Sequence, residues 1–230
     1  MNETTKRITR FGLLTALALV LGYLDRAIPL SGLLGGVVPG IKLGLANTVL
    51  LYAVYLMDRR SAALLMLVKV LLSGFLFGSL SAILYSLAGG VLSLLVMLWI
   101  RRNPARGALG ISLLALLSEA AILTRVPAPQ GSLLVCAVLI ALAAAAALAA
   151  WVVIRRRPGW GVVGTSLAGA VAHNAGQVLA AAAILRTPRL LYTYLPILVG
   201  VGAAVGVLTG VIAKQVFLAL RITGTSEVRP

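Results

Sequence analysis

The residues of this chain equipped for chemistry are few, and they lie inside apolar runs. Lys42 and Asn47 sit in Pro39-Gly40-Ile41-Lys42-Leu43-Gly44-Leu45-Ala46-Asn47, and Lys69 interrupts the apolar run 61–79 near its middle. His173, Asn174 and Gln177 form His-Asn-Ala-Gly-Gln within 162–185. These are ammonium, amide and imidazole groups, suited to holding a ligand by hydrogen bonds and charge. The three- and four-residue spacings let His173, Asn174 and Gln177 share one helical stripe. Lys42 and Asn47, five apart, do not share a face on a straight helix, but Pro39 and the glycines permit a broken backbone whose N–H groups can meet a ligand. An unpaired ammonium at the centre of a span costs about 2.5–3.5 kcal/mol, so Lys69 is expected in a protein cavity or beside a carboxylate. Glu119 has three readings: a partner for Lys69, a proton relay, or an interfacial group beside Arg125.

The same inventory excludes much. The chain holds five acidic residues, Glu3, Asp25, Asp58, Glu119 and Glu227, with one histidine and one cysteine, Cys136. Prenyl-diphosphate chemistry needs clustered carboxylates to hold Mg²⁺, because hard cations take oxygen ligands, and no such cluster occurs. There is no phosphate-binding glycine loop, no metal-ligand spacing and no nucleophile with a base beside it. The expectation is a non-enzyme with no catalytic residues, no bound metal and no cofactor.

Composition names the setting of these residues. Of the 230 residues, 61% are hydrophobic and 11% charged, with a mean hydropathy of +1.07. A soluble domain is about half apolar and a quarter charged. The sequence predicts an all-α, polytopic integral membrane bundle forming a single transmembrane domain over 1–230. Its apolar runs near 11–28, 42–57, 61–79, 81–100, 107–124, 131–154, 162–185 and 192–217 give eight spans of roughly bilayer length. The first run leads to Asp25-Arg26 without a small-residue cleavage pattern and is expected to be retained.

The net charge of +15 is not a nucleic-acid footprint, since the basic residues lie in short clusters between apolar runs. No nucleic acid is expected as a partner. With the N-terminus inside, 14 basic residues face the cytoplasm (Lys6, Arg7, Arg10, Arg59, Arg60, Arg101, Arg102, Arg106, Arg155, Arg156, Arg157, Lys214, Arg221, Arg229). Only 5 (Arg26, Lys42, Arg125, Arg186, Arg189) face out, which predicts that both termini are cytoplasmic.

Four stretches carry a resemblance: GIKLGLANTVLLYAVYL (40–56), LVKVLLSGFLFG (67–78), SLAGGVLSLLVM (86–97) and GTSLAGAVAHNAGQVLAA (164–181). They resemble the family described as Gx transporters or heptaprenyl diphosphate synthase component I, whose fold is similar to the S components of energy-coupling-factor transporters. The resemblance covers about 8–100 and 160–215. It implies a multi-pass protein of the bacterial cytoplasmic membrane that binds a small molecule, with Lys42, Asn47, Lys69, His173, Asn174 and Gln177 as binding residues. It also implies a membrane coupling subunit, served by cytoplasmic ATPases, as partner. Relative to the family's six spans, residues 103–158 read as an inserted helical hairpin.

Lysines and neutral donors outnumber carboxylates among these residues, so the expected ligand is anionic or amphipathic. Two other functions use the same features: a membrane subunit of a quinone, isoprenoid or flavin-linked redox pathway, and a noncatalytic partner of a heptaprenyl diphosphate synthase. The sharpest geometric expectation is that the His173–Gln177 stripe and the Lys42–Asn47 segment face each other across one pocket.

Overall fold

In a computed structural model, residues 2–27, 45–77, 80–101 and 161–219 are described. They form seven helices: α1 (Glu3–Ala27), α2 (Asn47–Leu56), α3 (Arg59–Phe77), α4 (Leu80–Ile100), α5 (Gly161–Ile184), the single turn α6 (Arg189–Thr193) and α7 (Leu195–Ala219). Among the described residues there is no strand. The expected hairpin 103–158, Lys42 and Glu119 lie outside the described residues.

Four helices, in α1, α4, α5 and α7, are long and apolar enough to cross a membrane. Their outward faces carry large apolar side chains such as Leu13, Val20, Leu95, Trp99, Leu208 and Ile212, all exposed. Such surfaces suit hydrocarbon rather than water. The chain is therefore a multi-pass membrane protein.

The bundle is organised around α5, which packs most extensively against α4 and α7. Small residues make those crossings close. A side-chain carbon on Gly176 would lie 2.8 Å from the Cα of Gly89 on α4, so the two backbones touch where both residues are glycine. On α7, Gly202, Gly206 and Gly210 recur every fourth residue, and all three face α5. Carbons added at Gly206 and Gly210 would each lie 2.8 Å from a backbone Cα, of Leu167 and Val163 respectively. Apolar packing against lipid-like surroundings gains little, so close backbone approach is what holds such helices together.

The ten-residue α2 is about 15 Å long, half the thickness of a bilayer core. Most of it is buried, and Val49, Leu50, Leu51, Val54 and Tyr55 join α3, α4 and α7 in the main core. It is shorter than the expected run 42–57 because Leu45 and Ala46 form a turn before it. Ala46, at the N-cap, has no side chain to cap the helix. The carboxylate of Asp25 on α1 instead holds the turn before the helix, accepting the Leu45 N–H at 3.0 Å. A carboxylate beside that turn also lies near the positive end of the α2 dipole.

At the opposite end of α2, Arg101 donates to the Val54 carbonyl at 2.5 Å and stacks over the Tyr55 ring. Tyr55 also hydrogen-bonds Thr165 on α5 at 3.0 Å and packs on Phe217 of α7. The N-terminal part of α1 reaches the same face: Arg7 pairs with Asp58 at 2.6 Å, and Asp58 caps α3 through the Ser61 N–H. The two bonds from Ser61, reinforced by the Arg7 charge, hold the exposed Asp58 carboxyl below its ordinary pKa. At the far end, α5 closes with Thr187 N–H on the Ala182 carbonyl and Arg186 in the left-handed region at φ 48°.

Candidate ligand cavity

Lys69, halfway along α3, is buried and reaches between helices rather than outward. Its Nζ donates to the Ala46 carbonyl at 3.2 Å. Asp25 and Lys69 thus hold consecutive residues of one turn, the carboxylate on the N–H of Leu45 and the ammonium on the C=O of Ala46. Both side chains line a cavity of about 20 Å³, together with Gly22, Ala46, Val70, Ser73, Ser86 and His173. That volume admits at least one water-sized group. Four helices and the turn before α2 supply its wall. Gly22 belongs to this arrangement because α1 passes close to Ser73, whose Oγ lies 3.3 Å from where a Gly22 side-chain carbon would sit.

His173 enters from the middle of α5 and is buried, with its ring beside Gly89 of α4. A side-chain carbon on Gly89 would come within 2.6 Å of the His173 carbonyl and 2.9 Å of Gln177 Cγ. The glycine is thus what lets the imidazole and the amide lie against α4. Gln177 follows His173 on that side of α5, but it does not line the cavity. Asn174 turns the other way: its Nδ2 donates to the Leu198 carbonyl on α7 at 2.6 Å and packs on Gly202. The expected stripe is therefore divided. A lipid-facing helix would present one polar stripe inward, but α5 is buried on nearly its whole circumference, so adjacent positions serve different neighbours.

Asn47 opens α2 and is buried, paired through its amide with Ser93 on α4 at 2.8 Å. It neighbours Ala46 in the cavity wall without lining the cavity itself. Of the six residues singled out, Lys69 and His173 share the cavity, whereas Asn47, Asn174 and Gln177 make contacts between helices around it. Lys42 lies outside the described residues.

Asp25, Ser73 and Ser86 are cavity residues that sequence reasoning missed. Asp25 carried a signal, since only five acidic residues occur in the chain and this one closes an apolar run. The serines carried none. The Gly202-Gly206-Gly210 spacing was a second overlooked signal, for close helix packing.

Fold and cavity together define a helical, multi-pass membrane protein with buried ionisable groups gathered inside the bundle. A family model described as "Heptaprenyl diphosphate synthase component I" matches residues 14–124 and 128–216. The chain belongs to that family. The matched stretches take in most of 103–158 and break at 125–127. No curated protein and no solved structure matches the chain.

Proposed function

We propose that the chain is a noncatalytic, membrane-embedded binding component that seats the polar group of a small molecule in the Asp25–Lys69–His173 cavity, in the manner of an energy-coupling-factor S component. The supporting observation is that two charged side chains and the single histidine, from three different helices, converge on one cavity inside an otherwise apolar bundle. Buried ionisable groups are costly in a membrane and mark binding or conduction sites. Ligand delivery to a coupling subunit with cytoplasmic ATPases is the transport step in this reading.

The reading includes eight spans in the bacterial cytoplasmic membrane with both termini inside. In support, Lys6, Arg7, Arg59, Arg60 and Arg101 belong to the end of the bundle that also holds the α1 N-terminus, the α2–α3 turn and the end of α4. Arg186 and Arg189 belong to the other end. That asymmetry is the positive-inside pattern.

Extraction and mass spectrometry of protein purified in mild detergent test the binding reading. A stoichiometric small molecule, lost from Lys69→Met, supports it; purified protein that is consistently empty and takes up nothing from a membrane extract overturns it. The family description favours a second reading, a noncatalytic partner of a heptaprenyl diphosphate synthase. Co-isolation of a prenyl synthase at fixed stoichiometry, with no ATPase module, would favour that reading.

A further inference from the structure

The carbonyl that accepts from Lys69 belongs to the planar peptide unit joining Ala46 to Asn47, so whatever anchors Asn47 also orients that acceptor. Asn47 is 3% exposed, and Ser93 on α4 is completely buried. Asn47 Nδ2 donates to Ser93 Oγ at 2.8 Å, and the same hydroxyl donates back to Asn47 Oδ1 at 3.2 Å. Both polar atoms of the amide are thus engaged by one serine, and neither residue lines the cavity. Three consecutive residues are held from three helices: Leu45 from α1 by Asp25, Ala46 from α3 by Lys69 and Asn47 from α4 by Ser93. On α4, Ser86, Gly90 and Ser93 follow one another at four- and three-residue spacing and share a face. Ser86 lines the cavity, Gly90 lies against Met66 and Val70 of α3, and Ser93 stands about 10 Å further along the helix, clamped to α2.

We infer, resting on the binding reading above, that Asn47 and Ser93 are positioning residues: their pair sets the Ala46–Asn47 peptide and, through its carbonyl, the place of the Lys69 ammonium in the cavity. A lysine ends a flexible four-carbon stem in a rotatable ammonium, so where that charge stands is decided by the acceptor it finds. The acceptor here sits at a helix start whose N-cap residue, Ala46, contributes no side-chain bond. The turn closes on itself through the Thr48 N–H and the Leu45 carbonyl at 3.0 Å, but that bond does not fix where the turn stands against α4. The Asn47–Ser93 pair does. Without the Ser93 hydroxyl a buried amide loses its partner and the Ala46 carbonyl is no longer tied to α4. Asn47, expected from the sequence to touch the ligand, therefore acts on it through Ala46 and Lys69. The two roles differ in one consequence. Were Asn47 a ligand contact, Ser93, two turns along α4 from the cavity residue Ser86, would have no part in binding.

The Lys69 ammonium itself gives the readout. The chain has four lysines, Lys6, Lys42, Lys69 and Lys214, so full-length protein labelled with ¹⁵Nζ-lysine in lipid nanodiscs gives few signals, and Lys69→Met assigns the one of interest. Ser93→Ala and Asn47→Ala are each expected to move the Lys69 signal in the same direction, and the double variant to move it no further than either alone. Ser93→Thr keeps the hydroxyl and should leave the signal near its wild-type position. Thr165→Val removes a buried hydroxyl at the other end of α2, where Tyr55 meets it, and should leave the Lys69 signal in place. A Lys69 signal unmoved by Ser93→Ala overturns the inference. So does an equal shift from Ser93→Thr or from Thr165→Val, since either would report general loosening of the bundle. Ser93→Ala decides by itself if Asn47→Ala fails to fold. In protein that copurifies with a small molecule, its occupancy measured by extraction and mass spectrometry should fall several-fold in Ser93→Ala; undiminished occupancy overturns the inference and leaves the binding reading standing. Wild-type protein that is consistently empty overturns the binding reading, while the ammonium signal, which needs no ligand, still reports whether the pair positions Lys69.

Discussion

Replacing Gly176 by alanine should loosen the α4–α5 crossing on which His173 depends. The added carbon would lie 2.8 Å from Gly89 Cα, 2.9 Å from the Ala88 carbonyl oxygen and 3.1 Å from its carbon. All three are backbone atoms, so no rotamer change relieves the contact and the helices have to separate. Ordinary carbon contact requires a shift of about 0.6 Å or more, and a gap of 0.5–1 Å forfeits roughly a quarter to a half of the dispersion energy of the atoms beside it. Overpacking of this kind costs about 1–3 kcal/mol, against up to about 1 kcal/mol gained from alanine's better helix propensity. The expected net loss is up to about 2 kcal/mol, or up to roughly 4–8 °C in midpoint for a chain of this size. Thermal unfolding in detergent measures it, with Gly200→Ala as control because nothing lies within 4 Å of a carbon added there. A Gly176→Ala midpoint equal to or above that of Gly200→Ala would refute the reasoning.

Further outcomes follow from the same contacts. Asp25→Asn and Lys69→Met should each destabilise by about 1–3 kcal/mol, because the Leu45 N–H loses its charged acceptor and the Ala46 carbonyl its charged donor; an unchanged midpoint for either variant in the same unfolding assay would count against that contact. Asn174→Leu should cost about 1–3 kcal/mol, because the Leu198 carbonyl loses its donor and the side chain meets Gly202, and a midpoint unchanged from wild type would count against that contact. Arg186→Gly should stabilise by up to about 1 kcal/mol, since Arg186 occupies the left-handed position at the end of α5 that glycine adopts without strain. Asp58 has a lowered folded-state pKa, so its contribution is present above the unfolded aspartate value of about 3.9 and is lost as pH falls through the lower folded value. Asp58→Asn should therefore flatten the acid limb of stability measured below about pH 4.

Hydropathy made the helices legible because an apolar run of bilayer length has few other fates. The runs 61–79, 81–100 and 162–185 correspond to α3, α4 and α5 within two residues at each end. Elsewhere the pattern reported span rather than helix. The run beginning at 11 became a helix from Glu3, since its polar first turns continue the helix beyond the apolar stretch. The run 192–217 became two elements, the short α6 and the long α7. Lys69 and His173 were legible as cavity residues because an ionisable group inside an apolar run has to face protein. Asp25 was not, because a carboxylate at the end of a run, next to Arg26, looks interfacial; only the turn at Leu45 and Ala46 reveals what it holds. The division of His173 and Gln177 from Asn174 was illegible for a related reason. Periodicity gives a residue's angle around a helix, but the neighbours it meets depend on how α4 and α7 flank α5.

The central claim, that Lys69 and His173 bind one group in one cavity, is tested most directly by a double-mutant cycle on binding. The compound extracted from the purified protein is titrated calorimetrically into wild type, Lys69→Met, His173→Ala and the double variant, each confirmed to be folded. The account predicts that each single variant weakens binding and that the losses are non-additive by at least about 0.5 kcal/mol, as expected for side chains sharing one bound group. Strictly additive losses, or full affinity in either single variant, would contradict it.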